Sequence, residues 1–348
     1  MTNDLEVYLA LPDISLVDAM RQIEKSNNGI LFITDQEHRL LGSLTDGDIR
    51  RSIIRNGNLQ SKAEDAMQTK AKYFRMDSEE DPYQFMERYS IQALPRLDAA
   101  GRVVEIYIRT EPEGMENKNT SLAGVPVVIM AGGKGTRLYP YTKILPKALI
   151  PIREKTISEH IIDSFLRFGC NDFTFVLNYK KNMIIAYFNE LQHSYTVKYV
   201  EEEKALGTGG GVGLLRGSID QTFILTNCDI LIREDMDKIY RHHKESGNMI
   251  TMVSSVKDYT LPYGVIHTGE GGSILSMEEK PKLSFLVNTG CYIVEPEVID
   301  RIPGDVSIDF PDVIEQHRLV GDKVGIYPIS ENAWMDMGEM DLLEKVSE

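Results

Sequence analysis

Residues 130 to 147 read Met-Ala-Gly-Gly-Lys-Gly-Thr-Arg-Leu-Tyr-Pro-Tyr-Thr-Lys-Ile-Leu-Pro-Lys and follow an apolar run, Val125 to Ile129, that predicts a strand. Three glycines and four cations in this order have the chemistry of a nucleoside triphosphate site. Glycine removes the Cβ that would hold backbone N–H groups away from phosphate oxygens, and a strand feeding such a turn aims those donors at one anion. Arg137 and Lys147 would neutralise the charge that the backbone leaves over. The plainer alternative is a glycine-rich turn with solvated cations, which three glycines alone fit equally well. Cations and prolines at fixed offsets argue against it.

Two familiar phosphate loops do not fit. A P-loop spells Gly-x-x-x-x-Gly-Lys followed by Ser or Thr, which this stretch does not. A dinucleotide fingerprint opening at Gly133-x-Gly135 needs a third glycine where this chain has Leu138. The stretch Ala131-Gly132-Gly133-Lys134-Gly135-Thr136-Arg137-Leu138, with Pro140, Thr142, Pro146 and Lys147, resembles the signature of the sugar-1-phosphate nucleotidyltransferases. That resemblance implies nucleotide contacts at Ala131, Gly132, Gly133, Gly135 and Thr136, and catalytic roles for Arg137 and Lys147.

Further stretches match in the family's order. Glu201-Glu202-Glu203-Lys204-Ala205-Leu206-Gly207-Thr208 resembles the segment beside the nucleobase, with Gly207 and Thr208 at the close approach and Glu202 where relatives place a base-reading side chain. A carboxylate there accepts from both N1–H and the exocyclic amine of guanine, whereas uracil and thymine offer one ring N–H. Three adjacent glutamates also suit a solvated run. Asp229, in Asn227-Cys228-Asp229, stands in place of the family's Gly-Asp element, and Asp336, in Trp334-Met335-Asp336-Met337-Gly338, resembles its second metal aspartate. The pair implies Mg²⁺, a hard ion that favours one or two carboxylates plus phosphate oxygens; a turn or cap role is the alternative. Pro262-Tyr263-Gly264-Val265, Glu279-Lys280-Pro281 and Asn288-Thr289-Gly290-Cys291-Tyr292 resemble the sugar-side elements. They imply that Gly264 faces the sugar, Glu279 accepts from its hydroxyls, Asn288 contacts its ring and Lys280 holds its phosphate, with a surface ion pair as the alternative for the lysine.

The implied reaction is attack by a sugar-1-phosphate oxygen on the α-phosphorus of a nucleoside triphosphate, releasing pyrophosphate. No protein nucleophile is needed, since the attacking oxygen is already anionic and the barrier lies in bringing anions together. The wording around Leu206-Gly207-Thr208 resembles guanylyltransferases acting on mannose 1-phosphate. The whole arrangement resembles bacterial enzymes of legionaminic acid biosynthesis, which favours GTP and an aminosugar such as glucosamine 1-phosphate. Mannose 1-phosphate, a thymidylyl or uridylyl reaction, and a nucleotide sensor without turnover are the alternatives.

From Val125 onward, predicted strands and helices alternate, the pattern of an α/β fold with a mostly parallel, Rossmann-like sheet, helices on both faces and ligands at the strands' carboxyl ends. Thr156-Ile157-Ser158-Glu159 reads as a capping box ahead of Ile161, Ile162, Phe165 and Leu166 on one helix face. Met183, Ile184, Tyr187 and Phe188 predict a second buried face. The front of the chain is a smaller α+β module with an internal repeat: Ser15 and Ser78, Asp35 and Asp98, and Arg39 and Arg102 are each 63 residues apart. Both copies open with Ser-x-x-Asp, a helix start at Ser15 and at Ser78. This duplication resembles a tandem pair of cystathionine-β-synthase-type (CBS) domains, which implies an adenine nucleotide held by Thr45 and Asp48. The second copy has Ile108 and Glu111 at those offsets, and a structural module without ligand is the alternative. The expected organisation is a tandem pair over 1–112, a linker over 113–124 and a transferase domain over 125–348.

Composition bounds the partners. A net charge of −15 over 348 residues excludes a broad nucleic-acid surface, so any anion must be met locally. Three scattered cysteines, Cys170, Cys228 and Cys291, suit neither a disulfide framework nor a zinc site. With no signal peptide or long apolar span, the expectation is a cytoplasmic protein without membrane contact. Tandem modules of this kind imply a homo-oligomer.

Overall fold

The structure is a computed structural model that describes residues 5–26, 28–78, 80–109 and 121–338. Two units divide the chain, Met1–Met115 with Val256–Leu286, and Glu116–Ser255 with Val287–Glu348.

The repeat is visible in the first unit. One copy comprises β1 (Leu9–Ala10), α1 (Leu16–Ser26), β2 (Ile30–Thr34), β3 (Leu40–Thr45) and α2 (Asp46–Asn56); the other comprises β4 (Phe74–Arg75), α3 (Pro82–Arg88), β5 (Ala93–Leu97) and β6 (Val103–Ile108). Each copy has a three-stranded sheet whose first pair is parallel and second antiparallel. The register shifts between Ile33 and Thr34 in one and between Arg96 and Leu97 in the other, positions related by the same offset. Asp35 and Asp98 close equivalent turns, each accepting two backbone N–H groups at 2.8–2.9 Å.

The helix starts differ. Ser15 Oγ accepts from the Asp18 N–H at 3.1 Å and donates to its carboxylate at 2.7 Å, as the motif predicts. The expected start at Ser78 is corrected: α3 begins at Pro82, where Asp81 accepts from the N–H groups of Tyr83 and Gln84. A residue before proline avoids the helical region, and proline's missing N–H suits the first helical position.

The second unit is built on β7 (Val127–Met130), followed by α4 (Tyr141–Ile144), a small hairpin of β8 (Pro151–Ile152) and β9 (Lys155–Thr156), α5 (Ile157–Leu166), β10 (Asp172–Leu177), α6 (Lys181–Glu190), β11 (Thr196–Glu201), α7 (Gly207–Gly213), β12 (Phe223–Asn227), β13 (Ile230–Ile232) and α8 (Met236–Ser246). The chain then runs through β14 (Ile250–Thr260), a ribbon of β15 (Gly264–Thr268) and β16 (Ile274–Glu279), and β17 (Lys282–Val294). It ends with α9 (Glu297–Arg301), α10 (Phe310–Leu319), β18 (Val324–Ile329) and β19 (Trp334–Asp336). The main sheet has the order β11-β10-β7-β12-β17-β14-β18. Its first four strands are parallel, β17 runs antiparallel to β12, and β18 is parallel to β14.

Alternate residues of β7 feed two cores. Val127 and Ile129 pack with Ile161 and Phe165 of α5 and Ile184 and Phe188 of α6, while Val128 and Met130 pack with Val212 of α7, Ile299 of α9 and Val313 of α10. Helices therefore cover both faces, and strands buried on both sides read as continuous apolar runs. Each fully buried Phe or Ile in these layers contributes about 1.5–3 kcal/mol. Thr156 forms the expected capping box with Glu159. Met183, expected in the core, is instead exposed; it lies roughly 100° around α6 from Ile184, off the face that Ile184 and Phe188 bury.

The units depart from the linear boundaries in one segment. Val256 and Leu286 pack with Leu16, Val17 and Ile23 of α1, which draws residues 256–286 into the first unit. Of the expected linker, only 121–124 are described, and Leu122 there is fully buried.

Candidate active site

In chain order the parallel strands β7, β10, β11 and β12 lie 3-2-1-4 across the sheet. The order reverses between β7 and β12, and such a switch opens a crevice outside the strands' carboxyl ends. A cavity of about 360 Å³ lies there. Gly132, Gly133, Gly135, Thr136 and Arg137 reach it from the turn after β7, Glu202, Gly207 and Thr208 from the segment after β11, and Asp229 from the end of β12, with Lys147 beside them. A second cavity, about 430 Å³, shares Arg137, Thr208, Asp229 and Asp309 and adds Asn288 and Asp336.

The glycines of the turn have separate reasons. Gly135 adopts φ 64°, and a Cβ there would stand 2.8 Å from Thr142 Cγ2 and 3.1 Å from Lys147 Cβ. A side chain would strain the backbone and push Lys147 away. At Gly132 a Cβ would stand 2.7 Å from Glu202 Oε2, whereas at Gly133 it would meet nothing within 4 Å. Ala131, expected to contact nucleotide, donates its N–H to Val176 O at 2.9 Å, so that donor belongs to the sheet and not to an anion.

Two cations and two carboxylates form one cluster. Lys147 Nζ is ion-paired with Asp229, and Arg137 bridges Asp336 at 3.1 Å and Asp229 at 3.7 Å. A Cβ on Gly338 would lie 2.6 Å from Asp229 Oδ2 and 2.8 Å from Asp336 Oδ1, so both oxygens face one point. Burial pushes the Asp229 carboxyl above its usual range, against the pull of Lys147. Among the described residues no group of three or more His, Cys, Asp or Glu could hold a metal, so two carboxylates are what the cluster offers.

Glu202 is not a solvated member of its run. Its side chain is buried, and Oε1 has no hydrogen-bond partner among the described residues. Desolvation raises its pKa, partly offset by the backbone N–H of Leu206. An orphaned buried carboxylate oxygen is unfavourable unless donors arrive. Gly211 is pressed against it: a Cβ there would stand 2.7 Å from Oε1.

Thr208 and Asp309 join two helix starts. Thr208 Oγ1 accepts from the Phe310 N–H at 2.9 Å, and Asp309 Oδ1 accepts from the Thr208 N–H at 3.4 Å. Asp309 lines both cavities, yet no local motif announces it. Asn288 is held by Tyr292, its Nδ2 donating to the phenolic oxygen at 2.7 Å and its Oδ1 accepting from the Gly290 N–H at 2.9 Å.

The other predicted residues lie in the first unit. Gly264 pairs with Glu279 across the ribbon, and a Cβ on Gly264 would stand 2.9 Å from the Glu279 carboxylate. Lys280 follows with a left-handed φ of 50° and donates its N–H to Tyr263 O. Thr45 and Asp48 form the capping box of α2. Asp48 Oδ2 accepts from the Thr45 N–H and hydroxyl at 3.0 and 2.6 Å, and Oδ1 accepts from Gln68 and Arg51 at 2.9 and 2.6 Å. The carboxylate is thus fully engaged by the protein. No described helix is long and apolar enough to cross a membrane.

Residues 126–348 match the nucleotidyl transferase family model, and residues 1–55 match the CBS domain model. The chain is 31% identical over 233 residues to a UTP–glucose-1-phosphate uridylyltransferase of Synechocystis. It is 32% identical over 224 residues to the bifunctional protein GlmU of Methanococcus maripaludis, and 29% over 223 residues to the catalytic subunit beta of a mannose-1-phosphate guanylyltransferase of Dictyostelium discoideum. Each alignment covers 61% of this chain, and 60%, 51% and 60% of those proteins respectively. Among solved structures, HddC from Yersinia pseudotuberculosis aligns at a TM-score of 0.52 with 22% identity, covering 64% of this chain and 98% of that one. A putative glucose-1-phosphate thymidylyltransferase from Bacillus anthracis aligns at 0.52 with 19% identity, covering 64% and 94%. These structural likenesses concern the fold.

Proposed function

The chain belongs to the nucleotidyl transferase family, and on that premise we propose that it transfers GMP from GTP to an aminosugar 1-phosphate, releasing pyrophosphate. The observation that carries the choice of base is Glu202, a buried residue on the wall of the cavity at the glycine-rich turn, one of whose carboxylate oxygens has no hydrogen-bond partner among the described residues. Guanine presents N1–H and an exocyclic amine side by side, two donors for one carboxylate. Uracil and thymine present one N–H between two carbonyls. Adenine presents a lone pair at N1, which a carboxylate repels. The arriving donors would replace the solvation that burial has removed.

The relatives' names span uridylyl and guanylyl enzymes, so they support the reaction class more than the base. The reaction requires two anionic substrates to approach one another. Arg137 and Lys147 serve the triphosphate, and the N–H groups around Gly132 and Gly133 approach its oxygens without obstruction. Asp229 and Asp336 fit Mg²⁺, whose charge would assist the phosphates when bound. Removing one charge of this kind reduces rate on the order of 10²-fold or more. Asn288, fixed by Tyr292, suits the sugar ring, and the Asp309 carboxylate on the wall of the second cavity suits an amine. On the ribbon, Glu279 and Lys280 are the residues for sugar hydroxyls and sugar phosphate.

Incubation of the full chain with Mg²⁺, each of GTP, UTP, dTTP and CTP, and glucosamine 1-phosphate or mannose 1-phosphate, with pyrophosphate release as readout, tests this function. GTP with glucosamine 1-phosphate is expected to give the highest kcat/KM. Turnover restricted to UTP would overturn the assignment of base, and no turnover with any pair would overturn the reaction.

A further inference from the structure

The ribbon that carries Gly264, Glu279 and Lys280 leaves most of its own residues in solvent. A two-stranded ribbon is marginal by itself, so its placement depends on what holds its roots. Those roots are β14 up to Thr260 and β17 from Lys282, and both are tied to the first CBS copy. Val256 and Leu286 pack with Leu16, Val17 and Ile23. Asp258 lies two residues beyond Val256 and its side chain is 13% exposed. It receives Ser284 Oγ at 2.7 Å, Lys282 Nζ at 2.9 Å and the guanidinium of Arg21. Arg21 is itself aligned by Asp18 at 2.5 Å, and Asp18 is held by Ser15. The helix start found by its Ser-x-x-Asp motif thus ends in a contact with the ribbon's root.

The repeat supplies an internal control. The residue 63 positions after Arg21 is Gln84, although Ser78 and Asp81 preserve the motif around it. The cation is not required to build a copy of this fold, and it occurs in the copy that meets Asp258.

We infer that Arg21 is a positioning residue for sugar 1-phosphate: through Asp258 it fixes the roots of the ribbon that carries Glu279 and Lys280. The inference rests on the assignment of those two residues to the sugar phosphate. It separates Arg21 from the nucleotide, whose turn and base reader lie on other elements.

The test uses the full chain as wild type, Arg21→Ala and Arg21→Lys. In Arg21→Ala, KM for glucosamine 1-phosphate at saturating GTP is expected to rise by about tenfold to 10²-fold, the scale of an ångström-sized misplacement. KM for GTP should stay within about twofold, since binding lost for one substrate alone moves one constant. Arg21→Lys should recover part of the loss. Equal KM values for the sugar phosphate in wild type and Arg21→Ala, or a parallel rise in both constants, would overturn the inference. Hydrogen exchange over residues 256–286 gives a readout without turnover. Protection is expected to fall in Arg21→Ala and return in Arg21→Lys, and unchanged protection would overturn the anchor even if the chain proved to use other substrates.

Discussion

Gly338 faces the charge cluster so closely that a single methyl group would compete with the Lys147 ammonium first, and with Asp229 and Asp336, for the same space. Gly338→Ala is therefore expected to lower kcat/KM by about 10²-fold or more through displacement of Lys147 and of these oxygens. Far-ultraviolet circular dichroism should remain that of the wild type, since the residue lies outside every helix and strand. Near-normal turnover in this variant would show that the two carboxylates need not converge. Asp229, Asp336, Arg137, Lys147 and Glu202 were legible in the sequence because each belongs to a short local pattern. Asp309 was not, because its partner Thr208 is 101 residues away and nothing in Ser307-Ile308-Asp309 marks the contact.

Helices that carry their own caps were equally legible. Thr156 with Glu159 and Ser15 with Asp18 sit where the motif places them, since the cap and its partner are three residues apart. The start of α10 is different. Asp309 occupies the cap position without making a side-chain cap bond, and the Phe310 N–H is met by Thr208 from the start of α7. Thr208→Val should remove that bond and cost about 1 kcal/mol, lowering Tm by roughly 2–4 °C for a unit of this size; Thr208→Ser should restore it. Equal melting of Thr208→Val and wild type would show that the cap contributes nothing. The strands of the main sheet were readable as apolar runs, but their lateral order was not, because pairing is set by packing between distant segments. The repeat's second helix was misplaced by its motif for a local reason, the proline at 82.

For the whole molecule, residues 256–286 group with Met1–Met115, although the family match runs unbroken over 126–348. Val256 is buried and Leu286 partly buried against the cluster that contains Leu16, Val17 and Ile23 of α1, a preference carried by two side chains and invisible to a linear boundary. Electrostatics also divides unevenly: a chain of net charge −15 concentrates Arg137 and Lys147 against its acidic pair at the sheet's switch point. The family match supports the reaction class, and in the proposed function the buried carboxylate of Glu202 would distinguish guanine from the pyrimidines. The most direct test compares kcat/KM for GTP and UTP, with the same sugar phosphate, in wild type and Glu202→Gln. Wild type is expected to favour GTP by about 10²-fold or more. The variant should lose about tenfold to 10²-fold with GTP, as expected for hydrogen bonds to a charged group worth about 1.5–3 kcal/mol, while its rate with UTP changes little. A wild-type ratio near unity, or a ratio that Glu202→Gln leaves unchanged, would contradict the account.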